Sequence, residues 1–365
     1  MKVRFIYFGI VLMTLVSCFE IENVPSVQQK IEVEVDDVQS TKTRALLLDN
    51  KDDIINQGEF ALNAYLKSGG EYFTNTWVYY FKPDDGAARW RFRDQVNPNN
   101  LINFYWPNDN KLNFLAYIPR ELSNLNESAC SVTNLTYVAS SGVQFTAAMP
   151  AVIEDKTEAE REAENSKSEF VYATRLDQGK NDGSVKLRFV HPFAAIKFRL
   201  QQSHRDLTIN NISLHGLNTS GNFSSNEDTY ARYNNGANPD QDYITVDNWT
   251  LTGTPGDFKI NLSKSVPYDV NYQSQIGGPY VVIPQQLNSG SKDVKISVNY
   301  TWNHETVTSP QISISTSNVP SWLPGKIYTY ILDLGDNKEE ILFRVVVEEW
   351  DKGEDDDYEN NYDVK

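Results

Sequence analysis

The stretch "KIEVEVDDVQSTKTRALLL", residues 30–48, joins a strand pattern to an exposed thread. Ile31, Val33 and Val35 alternate with Glu32, Glu34 and Asp36, the two-residue period of a strand with one face buried. The polar run that follows, rich in Ser, Thr and Lys, ends at Arg44 with no Pro or Gly to stiffen it. Similar short apolar runs recur outward from this point: "TWVYYF" (76–81), "LNFLAYI" (112–118), "VKLRFV" (185–190), "AAIKFRL" (194–200), "PYVVIP" (279–284), "VKISVNY" (294–300), "IYTYILDL" (327–334) and "ILFRVVV" (341–347). Turn signals fall between them, "PDDG" at 83–86, "NDG" at 181–183, "NNG" at 234–236 and "TPGD" at 254–257. Many short strands separated by turns predict an all-β sandwich architecture.

The N-terminal end carries a second signal. Met1, Lys2 and Arg4 precede the apolar FIYFGIVLM, and "LVSC" closes at Cys18. A basic start, a short apolar core and small residues before a Cys predict a bacterial lipoprotein signal peptide over 1–17, cut before Cys18, with lipid on the Cys18 sulfur. The apolar run is too short to cross a bilayer. With Cys18 lipidated, Cys130 stands alone, so no intramolecular disulfide is expected and stability must come from packing. The net charge of −16 argues against nucleic acid as a partner, because such binding needs basic surface, and suits a mutually repelling surface protein.

A chain of 365 residues with 40% hydrophobic content has material for two domains of roughly 150 residues each. The polar connector "DQGKNDGS" (177–184) divides an N-terminal domain, 45–178, from a C-terminal one, 179–350, with an acidic tail over 351–365. "EDKTEAEREAENSKSEF" (154–170) has helix formers but almost no apolar face and is expected as an exposed excursion. In the tail, Tyr358, Tyr362 and Val364 punctuate a weak strand.

No catalytic constellation stands out. His191, His204, His215 and His304 have no metal-binding spacing, and His191, ahead of Pro192 between two apolar runs, reads as structural. There is no nucleophile elbow and no P-loop; Gly277 and Gly278 only precede a strand. The acidic clusters Asp49, Asp52, Asp53 and Asp355, Asp356, Asp357 lack calcium-loop spacing and read as solvated surface. Trp77, Tyr79, Trp90, Tyr105 and Trp106 offer a sugar-stacking platform, although strand-spaced aromatics more often pack a core. No cofactor, no metal and no enzymatic activity are expected.

Taken in order, the lipobox, "IEVEVDDVQSTKTRA", "LNFLAYIP", "SEFVYA", "VKLRFVHPFAAIKFRL", "GGPYVVIPQQL", "WLPGKIYTYILDL" and "VVVEEWDKG" resemble the fimbrillin family, the type V pilins and their relatives in anaerobic Gram-negative bacteria. The resemblance covers nearly the whole chain and implies two transthyretin-like β-sandwich domains. It further implies a lipoprotein precursor at the outer membrane and an arginine-specific protease that cuts after Arg44, leaving Ala45 as the new N-terminus. The pro-segment 18–44 would carry the strand of Ile31, Val33 and Val35 away, opening an apolar groove for a neighbouring subunit's strand. Strand addition supplies backbone hydrogen bonds and side-chain pockets, and a head-to-tail contact propagates as an open filament.

The candidate donor is "ILFRVVVEEW" (341–350), with Ile341, Phe343, Val345 and Val347 on one face. The alternatives are that this run is integral to the second sandwich and that the acidic tail donates. The implied partners are other fimbrial subunits, the maturation protease, the outer membrane before cutting, and a host or bacterial surface ligand. The competing reading is a lipid-anchored surface glycan-binding β-sandwich protein that keeps its first strand.

Overall fold

The structure, a computed structural model, describes residues 28–36, 51–84, 86–94, 96–97, 99–125, 129–155, 169–203, 206–234, 244–267, 274–289, 292–334, 341–349 and 361–364. Cys18, Arg44 and Ala45 lie outside the described residues, as do His204 and most of the 154–170 segment.

The chain is all-β, as its short alternating runs require. The first half contains β1 (Val33–Val35), α1 (Lys51–Gln57), β2 (Glu59–Leu66), β3 (Glu71–Phe81), β4 (Arg89–Arg93), β5 (Leu101–Ile102), β6 (Leu112–Ile118), β7 (Ser131–Val138), β8 (Gly142–Ala148), β9 (Val152–Glu154) and β10 (Val171–Gln178). Next come β11 (Val185–Leu187), β12 (Ala194–Ser203), β13 (Leu207–Leu217), β14 (Ser220–Ser225), α2 (Thr229–Asn234), β15 (Trp249–Thr252), β16 (Gly256–Val266) and β17 (Ser274–Val282). The short pieces β18 (Gln285–Gln286), β19 (Asn288–Ser289) and β20 (Lys292–Asp293) precede β21 (Lys295–Trp302), β22 (Glu305–Thr308), β23 (Ile312–Ser313) and β24 (Ser321–Trp322). The chain closes on β25 (Lys326–Leu334), β26 (Ile341–Glu349) and β27 (Asn361–Val364).

Two cores organise these strands. A six-stranded sheet, in the order β10-β6-β2-β3-β4-β5, carries the N-terminal core on one face. Its central strand β6 is buried along its whole length, which is why its sequence reads as a continuous apolar run and not as an alternation. Phe114, Ala116 and Ile118 enter the N-terminal core, whereas Leu115 and Tyr117 turn to the other face and join the larger second core. That second core is built mainly from the five-stranded sheet β17-β12-β25-β26-β27, the sheet β22-β21-β13-β16-β9 and the four-stranded β15-β14-β8-β7.

Strand pairing passes freely across residue 178. β8 pairs with β14, β9 runs parallel to β16, and β1 runs parallel to β11, each joining a segment before that residue to one after it. A polar knot ties the same halves. Asp228 Oδ1 caps α2 by accepting from Tyr230 N (3.1 Å) and Ala231 N (2.7 Å), while its Oδ2 accepts from Leu176 N (2.8 Å) and Arg175 Nη1 (2.9 Å) on β10. The cap of a short helix thereby anchors the end of the N-terminal sheet.

Candidate strand groove

The first strand lies in its own slot against the N-terminal core. Ile31, Val33 and Val35 are only 4%, 6% and 4% exposed, while Glu32 and Glu34 face solvent, so the two-residue alternation is realised residue by residue. The slot has two banks. On the first, Lys30 bridges Tyr105, Ile31 N donates to Phe104 O (2.9 Å) and Trp106 N donates to Gln29 O (2.9 Å). On the second, β11 pairs in parallel register, Val33↔Val185 through Val35↔Leu187. There Val185 N donates to Glu32 O (2.7 Å) and Asp36 N to Leu187 O (2.8 Å). The paired stretch is short on both sides.

The floor of the slot is aromatic. β1 packs on β4, whose Trp90 and Phe92 share the N-terminal core with Phe60, Phe114, Phe189 and Trp106. Phe60 sits 4.9 Å from Trp90 and 5.4 Å from Phe189 between ring centroids, and Trp106 lies 5.9 Å from Phe114. These tilted and edge-on contacts join the rings of the floor to one another, separately from the aliphatic strand above them. Phe104, on the first bank, is itself clamped by Phe73 (4.1 Å) and Phe92 (5.1 Å). On the other bank, Val190 and Tyr172 exchange backbone bonds of 2.8 and 3.2 Å, pinning the chain that leaves β11.

At the strand's exit, Asp36 meets Arg188, with Oδ2 to Nη1 at 4.0 Å and the Arg188 side chain only 7% exposed. Sequence reasoning missed this pair. The run "VKLRFV" carries the alternation that puts Val185, Leu187 and Phe189 in the core, but no local signal states that its neighbour is a strand some 150 residues earlier. The bank at 104–106 is equally hidden, because the sequence marks Tyr105 and Trp106 by their rings and not by their backbone.

The candidate donor is placed elsewhere. β26 pairs with β25 along its whole length, from Lys326↔Glu349 to Leu334↔Ile341, and with β27 on its other edge. Both Val345 and Val346 are buried, and these successive residues point to opposite faces; Val347 packs at the margin of the second core. Ile341, Phe343, Val345 and Val347 are alternate residues of β26 and so share one face, and the burial of Val346 shows that the opposite face is covered as well. The tail supplies β27, with Tyr362 and Val364 paired to Val345 and Phe343.

The five aromatics considered as one sugar platform are divided by the sheet. Trp90 and Trp106 are buried in the N-terminal core, Tyr105 lends its carbonyl to Tyr72 Oη (2.6 Å), and Trp77 and Tyr79 lie half-buried on the opposite face. There the Arg93 guanidinium stands 3.7 Å from the Tyr79 ring centroid and 4.7 Å from that of Trp77, and Arg120 stands 4.7 Å from Trp77. Guanidinium groups thus occupy the ring faces on which a sugar would stack.

Elsewhere, the titratable groups act structurally. His191 Nδ1 lies 3.5 Å from Glu169 in the interior. His215 bridges Asp257 (3.0 Å) and Ser297 (2.8 Å). Cys130 is buried, its Sγ donating to Val281 O (3.6 Å), and burial pushes its thiol well above the usual range. Lys292 Nζ donates to Asn218 Oδ1 (2.9 Å) and Gln285 Oε1 (2.6 Å), and burial brings its pKa down to about 8. Among the described residues no group of His, Cys, Asp and Glu is arranged to hold a metal, and no helix is long and apolar enough to cross a membrane.

Comparison with known proteins places this architecture. No curated protein matches the chain. Among solved structures, a fimbrial protein from Bacteroides vulgatus is 15% identical, with a TM-score of 0.46 over 88% of this chain and 99% of that one. The tip fimbrial protein Mfa3 from Porphyromonas gingivalis, with C-terminal truncation, is 13% identical, with a TM-score of 0.37 over 84% of this chain and 97% of that one. The sequence pattern described as fimbrillin-like matches residues 43–350. Since that match takes in most of the chain, from just before Arg44 to the end of β26, this protein belongs to the fimbrillin-like family.

Proposed function

We propose that this chain is a subunit of a cell-surface fimbria whose first strand is a removable plug. The observation that carries the reading is the slot itself: three buried aliphatic side chains on a strand paired briefly at each edge, above a floor that holds its own contacts. In the lipidated precursor, anchored to the outer membrane through Cys18, β1 covers the slot and prevents premature edge pairing. An arginine-specific protease cuts after Arg44. Release of 18–44 then exposes a groove with backbone donors and acceptors on both banks, and a strand from a neighbouring subunit adds in its place.

The donor in this scheme is the C-terminal tail. β26 stands between β25 and β27 and stays in the sandwich, whereas among the described residues β27 pairs on one edge only. The subunit acts by assembly and adhesion, with other fimbrial subunits as its partners.

The test uses the chain without residues 1–18, treated with an arginine-specific protease while mass and oligomer size are followed. The expected result is cutting after Arg44, loss of the β1 segment and a ladder of stable oligomers, with Arg44→Ala folded, uncut and giving no such ladder on protease treatment. Normal fibres from Arg44→Ala would overturn the assignment of the cut. A protein that is cleanly cut and stays monomeric would overturn strand exchange.

A further inference from the structure

β4 serves two faces of its sheet. Trp90 and Phe92 enter the N-terminal core, so Arg89, Arg91 and Arg93 face the other way. Their neighbours across the strand pair are Phe81, Tyr79 and Trp77 in that order, giving three arginines beside three aromatics. Arg93 is held by the rings of Tyr79 and Trp77. Arg120, nearby over Trp77, is already matched with Glu59 (3.5 Å) and Glu121 (2.7 Å).

The three β4 arginines are different. Among the described residues, no carboxylate reaches ion-pair distance of any of them, and the shielded Nε atoms of Arg91 and Arg93 have no hydrogen-bond partner. A strip of three guanidiniums with no carboxylate at ion-pair distance, on a chain of net charge −16, offers complementary charge to an anion.

Its spacing narrows the choice of anion. Alternate residues on a strand repeat every ~7 Å, so the guanidinium row is a ladder with that step. An extended peptide has the same step. The acidic tail holds Asp355, Asp357 and Glu359 at that two-residue period, three carboxylates for three guanidiniums. Both ends of this segment are tied to the five-stranded sheet, by Glu349 pairing with Lys326 and Asn361 with Val346. That sheet shares no strand with β3 and β4.

We propose that Arg89, Arg91 and Arg93 on β4 form a docking strip for the acidic tail of a second copy of this chain, with Asp355, Asp357 and Glu359 paired to the three guanidiniums in an extended register. The proposal shares with strand exchange the reach of one copy's tail to another copy. It needs no cleavage, because the strip is complete while β1 is still in place.

The test therefore uses the uncut Arg44→Ala chain as receptor and a fluorescent peptide of residues 351–365 as probe, read by anisotropy. Saturable binding is expected. Arg89→Glu with Arg91→Glu, two positions outside the Arg93 ring stack, is expected to weaken it at least tenfold with an unchanged circular dichroism spectrum. A peptide with Asp355→Lys and Asp357→Lys is expected to bind that variant better than it binds the parent. A peptide of the same composition with its acids clustered in adjacent pairs, so that no three fall at successive two-residue steps, is expected to bind more weakly.

Absence of saturable binding, equal binding by the Glu variant, or equal binding by the clustered peptide would overturn the proposal. So would tight binding of a polyuronate chain that the peptide fails to displace, since that outcome assigns the strip to an anionic glycan. Each readout is taken on uncut protein, so strand exchange can fail or succeed separately.

Discussion

If β1 is a separable plug, its opening should be measurable before any protease acts. Ile31→Ala removes most of a side chain that is 4% exposed, on a residue whose N–H donates to Phe104 O. Truncating a buried Ile to Ala costs about 2–5 kcal/mol, depending on how well the site collapses. With about 1.4 kcal/mol to each factor of ten, the opened population rises roughly 30-fold to a few thousand-fold. Native-state hydrogen exchange reads this directly, because four amides report the slot: Ile31, Asp36, Trp106 and Val185 all donate to a carbonyl across it. Two of the four belong to the banks and not to the strand. In a cooperative local opening, all four should lose protection by the same factor, while Val190 and Tyr172, which bond to each other beyond β11, hold theirs. If the Trp106 and Val185 amides keep their protection while Ile31 loses it, the strand frays and does not leave as a unit. If every core amide shifts equally, β1 is inseparable from the global fold, and the plug reasoning fails.

Two further outcomes follow from the buried polar groups. Cys130, with its thiol kept protonated by burial, is expected to resist an aromatic disulfide reagent at neutral pH in the native chain and to react at once in denaturant; fast labelling of folded protein would contradict its placement. Lys292 has a folded pKa of about 8 against 10.5 in the unfolded chain, so the unfolded state binds more protons between those values and stability should rise with pH across that window. Lys292→Met should flatten that rise, as read by urea midpoints at pH 7.5, 9 and 10. Buried tyrosines such as Tyr330, whose pKa burial raises, lose stability only as the pH climbs past the ordinary phenol range, and the difference between parent and variant cancels them.

Much of this fold is legible in local pattern. The runs at 112–118, 194–200 and 327–334 all fall on strands, and β1 buries the very residues its alternation marks. Such local patterns are legible because strand burial repeats every two residues and needs no knowledge of the partner. Pairing is another matter. That β1 lies beside β11, or that β8 lies beside β14, depends on contacts far apart in sequence, which no window of ten residues contains. The same limit hides the second face of β26: its alternation marks one face, and only its place between β25 and β27 accompanies the burial of Val346 as well as Val345. The candidate site was half visible for this reason. Its plug is local pattern, whereas its banks and its Asp36–Arg188 clasp are products of topology; the arginine row of β4 is itself a local alternation, Arg-Trp-Arg-Phe-Arg, that only its cross-strand aromatics complete.

That topology would also give the proposed assembly a direction. Each bank has contacts that do not involve β1, since Phe104 is clamped by Phe73 and Phe92, and Val190 is bonded to Tyr172. Withdrawing β26 would instead strip β25 of its partner over nine register positions. In the proposed exchange the acceptor would lie in the N-terminal sheet and the donor in the tail beyond β26, a head-to-tail pairing that could not close on itself at one contact. A chain ending at Trp350 puts this to the test. It keeps β26, loses β27, and after cutting should accept a neighbour's tail while offering none of its own. Mixed with the full-length cut protein, it should shorten the oligomer ladder in proportion to its share, as seen by size-exclusion chromatography with light scattering. Alone, it should stay monomeric. Polymerisation by the truncated chain at the parent's rate would mean that the donor is not the tail, and the assignment of β26 as a fixed strand would have to be withdrawn with it.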